Sequence, residues 1–223
     1  MGVADNIRRI KDEVGDAVIV AVSKYSEDDE VQEAYDAGHR DFGENKAQDL
    51  DARRHRFPPD VRWHFIGHLQ RNKVKYIAPY VHLIHGVDSE KLLVEINKQG
   101  KRNNRVIDCL LQIHIAEESA KFGLSPEEAV DITRSEKVAG LEYVRVVGLM
   151  GMATNTTDEA KVGTEFEGLA ELFRRLKSGE LPGNMRMEIL SMGMTQDYPL
   201  AIEHGSNMVR IGSAIFTQKL RKN

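Results

Sequence analysis

Eight short apolar runs alternate with amphipathic segments along the whole chain, and this alternation restricts the possible folds more than any other feature. The runs lie at 17–23 (AVIVAVS), 41–43 (DFG), 62–67 (RWHFIG), 81–87 (VHLIHGV), 106–115 (VIDCLLQIHI), 144–151 (VRVVGLMG), 186–193 (RMEILSMG) and 208–216 (MVRIGSAIF). Most lack strict polar–apolar alternation, as expected of parallel strands covered on both faces. Helical signals sit between them. Ser89 is a natural N-cap for SEKLLVEINKQG, which reads as ending near Gly100. Ser125, Pro126 and Glu128 spell a capping box, and Phe166, Leu169, Ala170, Phe173 and Leu176 form one stripe at helical spacing. DNIRRIKDEV adds a helix ahead of the first strand. A doubly wound open sheet is the alternative, but even spacing without a composition break favours an α/β fold with a single (β/α)8 barrel over residues 1–223. After the eighth run comes only TQKLRKN, read as a short polar tail.

Composition removes several function classes. The 223 residues carry a formal net charge of −4, with acidic and basic residues interspersed, so no basic patch marks a nucleic-acid surface. No apolar run is long enough to span a membrane, and the N-terminus lacks the apolar core of a signal peptide. Cys109, the single cysteine, stands in an apolar run and reads as a small buried hydrophobe. A cytoplasmic protein is expected.

In a closed barrel, chemistry gathers where strands end and βα loops begin. The strand ends offer Lys24, Glu44, Asn45, His68, His85, Asp88 and His114 in the first half of the chain. The second half offers Met150, Met152, Thr154, Ser191, Gly193, Arg210, Gly212 and Ser213. Loops after strands seven and eight commonly hold phosphate through main-chain N–H groups, and SMGM and IGSA each pair Gly with Ser there. Tight turns alone would account for these glycines equally well. Strands one and eight are neighbours in a closed barrel, so Lys24 shares that rim. A partly buried lysine is a nucleophilic amine suited to a Schiff base, and with a phosphate clamp it meets the minimal requirement for pyridoxal phosphate (PLP). On sequence position alone, Lys24 reads better as a surface lysine at a loop start. The histidines do not form a same-strand metal pair: His82 and His85 fall on opposite faces, and His64 and His68 bracket a glycine. No Walker loop, nucleophile elbow or dinucleotide fingerprint is present.

AVSK, FGENKAQDL, WHFIGHLQRNKVK, HGVDS, KFGL, GLMGMAT and LSMGMTQDYPLAIEHGSNMVRIGSAIF occur in order from Ala21 to Phe216. In these motifs the chain resembles the PLP homeostasis protein family. The resemblance implies the alanine-racemase-like barrel of fold-type III PLP proteins and a Schiff base at Lys24. It also implies Arg210 facing the pyridine nitrogen, Asn45 beside the ring, and Ser191, Gly193, Gly212 and Ser213 holding the phosphate. The implied role is control of PLP (vitamin B6) supply by storage or delivery to PLP-requiring apoenzymes. Three departures stand out: Thr195 where serine is usual, Asn207 where threonine is common, and Thr217 where glycine is usual. An arginine at the ring nitrogen opposes the protonation that makes PLP a strong electron sink. Related racemases also take a second base from another domain, for which this chain has no residues. The expectation is a monomeric carrier without catalytic residues. The alternative is a PLP-dependent enzyme with weak amino-acid racemase-type activity, and a third reading has Lys24 as a point charge for another phosphorylated metabolite.

Overall fold

The structure is a computed structural model that describes residues 2–117 and 122–216. Lys121 of the KFGL motif, Thr217 and the TQKLRKN tail lie outside the described residues. Eight parallel strands close into a barrel in sequence order. They are β1 (Val18–Val22), β2 (Asp41–Glu44), β3 (Arg62–Phe65), β4 (Leu83–Val87), β5 (Ile107–Ile113), β6 (Val144–Gly151), β7 (Met185–Ser191) and β8 (Met208–Ile211). Closure comes from β1 pairing with β8, in the register Val18 with Met208 through Ala21 with Ile211. The structure is the expected (β/α)8 barrel, with helix α1 (Val3–Val14) ahead of β1.

The helices begin where the sequence signals them. Ser125 accepts from Glu128 N–H at 3.1 Å, and the Glu128 carboxylate accepts from Ser125 N–H at 2.8 Å. That box starts the helix Pro126–Arg134. The long helix Glu159–Ser178 is capped by Asp158 and buries Phe166, Leu169, Ala170, Phe173 and Leu176. The helix after β4, Glu90–Arg102, starts at Ser89 as expected but continues past Gly100. Strand eight is shorter than expected. It stops at Ile211, and the Gly212 carbonyl accepts from both Ile215 N–H and Phe216 N–H, which folds 212–216 into a turn. Ile215 and Phe216 are buried there against the core, so apolar character that resembled strand belongs to a turn packed inward.

Strand periodicity divides the side chains into two layers. Along β1, Ile19 and Ala21 join the large core beneath the helices, while Val20 joins a smaller set with Leu83, Leu110, Val147, Met150 and Met208. That smaller set, drawn from the strands, fills the barrel interior. By the same alternation Asp41, His64, Ser191 and Arg210 also point inward, because Phe42, Trp63, Phe65, Leu190, Val209 and Ile211 belong to the outer layer. A polar line therefore runs through the interior beside that smaller apolar set. No helix among the described residues is long and apolar enough to cross a membrane.

Candidate functional site

A cavity of about 1170 Å³ opens at the C-terminal ends of the strands. Lys24, Asn45, Arg210, Gly212 and Ser213 all border it, together with Thr195, His68, Met152 and Thr154. Five of the seven residues expected to bind the cofactor thus share one space.

Lys24 stands in a tight turn just past β1. Ser26 N–H donates to the Ser23 carbonyl at 3.0 Å, and Tyr25 takes φ +72 at the turn's third position. That conformation normally belongs to glycine and costs a tyrosine about 1–2 kcal/mol. Arg53, from the helix Ala47–Arg54, holds the turn in place. Its guanidinium donates to the Ser23 carbonyl at 2.6 Å, the Ser26 carbonyl at 2.7 Å and the Glu44 carboxylate at 2.8 Å. The Ser23 hydroxyl donates to the same carboxylate at 2.8 Å. Burial raises the Glu44 carboxyl, and Arg53 and Ser23 oppose the rise. Glu44, a strand-end candidate, therefore braces the turn that presents Lys24. The half-exposed amine extends towards the Tyr25 ring, 5.8 Å from its centroid.

Arg210 enters from β8. Burial lowers its guanidinium to about 10, and the Asp197 carboxylate pushes it back up, so it stays cationic at neutral pH. It donates to the Ser191 hydroxyl at 2.7 Å, the Ser191 carbonyl at 2.9 Å and the Gly151 carbonyl at 2.9 Å. A guanidinium carries five N–H donors, so donors remain to face the cavity that Arg210 borders.

The loops after β7 and β8 meet beside it. Gly212 N–H donates to the Thr195 hydroxyl at 3.3 Å. The main-chain N–H groups of Thr195 and Ser213 have no acceptor among the described residues, yet both residues border the cavity. Such free donors suit a phosphate. Thr195 was visible in the sequence only as a departure from the usual serine, although its position in SMGMT pointed to it.

Two expected phosphate residues are placed otherwise. Ser191 is fully buried, and its hydroxyl lies between Arg210 and His85, 3.2 Å from His85 Nδ1. It does not border the cavity. Gly193 also lies behind the wall, at φ +96, where an added Cβ would sit 2.7 Å from Ala201 Cβ. Its carbonyl accepts from Arg210 N–H at 3.0 Å. Both residues shape the loop and hold Arg210, because the chain must turn sharply there. On the opposite wall, an added Cβ at Gly67 would lie 2.3 Å from the Asn45 carbonyl, so glycine lets β3 approach β2 at the rim.

Of the remaining strand-end candidates, His68 borders the cavity, with Nδ1 3.1 Å from the Asp88 carboxylate and its ring stacked on Phe122 at 3.7 Å. His114 does not border it, and Met150 lies in the barrel interior. Burial pushes the Cys109 thiol well up, as befits a structural cysteine.

The histidines come together across strands. His64 Nδ1 lies 3.0 Å from His85 Nε2, and His64 Nε2 lies 3.0 Å from the Asp41 carboxylate. Asp41, His64 and His82 present ligand atoms within 4.8 Å of one another. Both Asp41 oxygens are already engaged by Arg62, so a cation there would have to displace a guanidinium. Burial acts to raise the Asp41 carboxyl, but hydrogen bonds from Arg62 and His64 hold it well below the ordinary range. A depressed carboxyl stabilises the fold above its unfolded value, about 3.9, and that contribution is lost as pH falls below it. The melting-temperature gap between wild type and Asp41→Asn should therefore be widest at neutral pH. Calorimetry should show it closing below about pH 4.

Comparison with known proteins agrees with this geometry. The model of the alanine racemase N-terminal domain family matches residues 2–219. A pyridoxal phosphate homeostasis protein from Haemophilus influenzae is 37% identical over 201 residues, spanning 89% of this chain and 83% of that one. PipY of Synechococcus elongatus, solved without PLP, superposes with a TM-score of 0.89 at 28% identity, covering 96% of this chain and 99% of that one. The same protein solved with PLP bound gives 0.82 at the same identity and coverage. A barrel with a cationic, N–H-lined rim, matched over nearly its whole length by these relatives, leads to one assignment: the chain belongs to the pyridoxal phosphate homeostasis protein family.

Proposed function

We propose that the cavity holds PLP and that the protein keeps the cofactor for storage or delivery. The observation that carries this reading is the convergence of Lys24, Arg210 and the free N–H groups of Thr195 and Ser213 on one cavity. When bound, PLP supplies an aldehyde for a Schiff base with an amine and a ring that can accept electrons. Lys24 would offer the amine, the loops after β7 and β8 would take the phosphate, and Arg210 and Asn45 would stand beside the ring. Arg210, cationic and donor-only, disfavours a proton on the ring nitrogen and so damps electron-sink chemistry. The cavity, about 1170 Å³, exceeds the range usual for small-molecule sites and so has room for the cofactor. PLP-requiring apoenzymes are the receivers in this reading, and the protein acts as a monomer in the cytoplasm.

Two measurements test it. Incubation with PLP should produce a yellow protein, and α-protons of amino acids should exchange slowly in deuterated water. Rapid exchange would instead support an enzyme of racemase type. Arg53→Met removes the brace on the Lys24 turn and should weaken PLP binding about tenfold, the worth of one charge-assisted hydrogen-bonding group, in an absorbance titration.

A further inference from the structure

Five inward-facing polar groups connect the two ends of the barrel. Asp41 stands at the start of β2, on the face opposite the cavity, where the more exposed Arg62 pairs with it. Ser191 and Arg210 lie at the other end, at the close of β7 and β8. Between them His64 and His85 bridge the interior, 1% and 0% exposed. Successive separations are 3.0 Å from Asp41 to His64, 3.0 Å from His64 to His85, 3.2 Å from His85 to Ser191 and 2.7 Å from Ser191 to Arg210. A buried polar line of this length is costly to assemble unless every member is satisfied.

The two ends fix the direction of every bond. An ionised Asp41 can only accept, so His64 Nε2 carries the hydrogen. The Asp41 charge is already matched by Arg62, and a second buried cation would be uncompensated. The Nδ1 lone pair of His64 then accepts from His85 Nε2–H, 3.0 Å away. Burial, with Arg210 nearby, pushes His85 well down, so it is neutral. Its Nδ1 accepts from the Ser191 hydroxyl. Ser191 thereby gives its only proton away from Arg210 and leaves its lone pairs to the guanidinium. Arg210 is a donor alone and matches that arrangement.

We propose that Asp41, His64 and His85 form a positioning line that orients the Ser191 hydroxyl and thereby sets the Arg210 guanidinium at the cavity. These are positioning residues, since none of the three borders the cavity. The proposal rests on the reading that Arg210 faces bound PLP, and it extends control of that contact to the opposite face of the barrel.

Nitrogen NMR of the histidine rings in the PLP-free wild-type protein reads the line directly. His64 and His85 should both be neutral, with the hydrogen on Nε2. A proton on His85 Nδ1 would overturn the proposal. The second arm measures PLP dissociation constants in a double-mutant cycle. His85→Asn keeps an acceptor for Ser191 but cuts the link to His64. Asp41→Asn should weaken PLP about fivefold in the wild-type background, as expected for loss of one oriented hydrogen bond, and have no effect in the His85→Asn background. An equal loss in both backgrounds would show Asp41 to be merely structural and would sink the idea, as would no loss in either. Failure of the wild-type protein to bind PLP at Lys24 would defeat the proposed function instead, and the NMR result would still decide the line.

Discussion

Lys24→Ala should abolish the covalent PLP adduct and weaken PLP binding about a hundredfold or more, equivalent to about 3 kcal/mol. The size of the effect follows from the construction of the rim. Lys24 stands in a turn whose strained Tyr25 is held at φ +72 while Arg53 bonds the carbonyls on either side. Such strain persists only where the surroundings over-determine it. The alanine variant leaves the turn and the Arg53 brace in place, so its melting temperature without PLP should stay close to wild type. Spectral titration checks the affinity, and a variant that keeps a borohydride-stable link would refute the lysine assignment.

Arg210→Met should act on the fold as well as on the site. Arg210 donates to the Ser191 hydroxyl and carbonyl and reaches across to the Gly151 carbonyl. Methionine fills much of the volume but removes the three hydrogen bonds that Arg210 donates to these buried acceptors. Breaking such a buried charged network costs about 3 kcal/mol, or about 6–12 °C in melting temperature for a chain of this size. Calorimetry of the PLP-free protein checks the loss. PLP affinity should fall too, because the proposed site loses its buried cation.

The barrel was legible because each of its eight apolar runs is short, β-rich and separated from the next by an amphipathic stripe or a cap. The helix at Pro126 starts at the box formed by Ser125 and Glu128, an interaction that spans three residues and needs no tertiary information. The residues of the candidate site could be gathered to the same depth. Lys24, Asn45, Arg210, Gly212 and Ser213 sit at strand ends, and a closed barrel brings strand ends together. Sequence could not separate Ser191 from Ser213. Both lie in Gly-Ser contexts, but Ser191 is the last residue of β7 and is buried in the interior, whereas Ser213 follows the end of β8 and is exposed at the cavity. The histidine line was hidden for a related reason. A metal search along single strands misses His64 and His85, which meet only when β3 pairs with β4. Strand eight was overread because Ala214, Ile215 and Phe216 are apolar, and apolarity does not distinguish a strand from a turn packed against the core.

The central claim is that Lys24 is the residue that takes PLP. The most direct measurement is the visible spectrum of the PLP-loaded protein before and after borohydride, followed by mass analysis of its peptides. The account predicts a yellow band that bleaches on reduction and a single peptide, the one carrying Lys24, heavier by a reduced pyridoxyl phosphate group. A colourless protein after PLP loading, or a modified peptide that lacks Lys24, would contradict it.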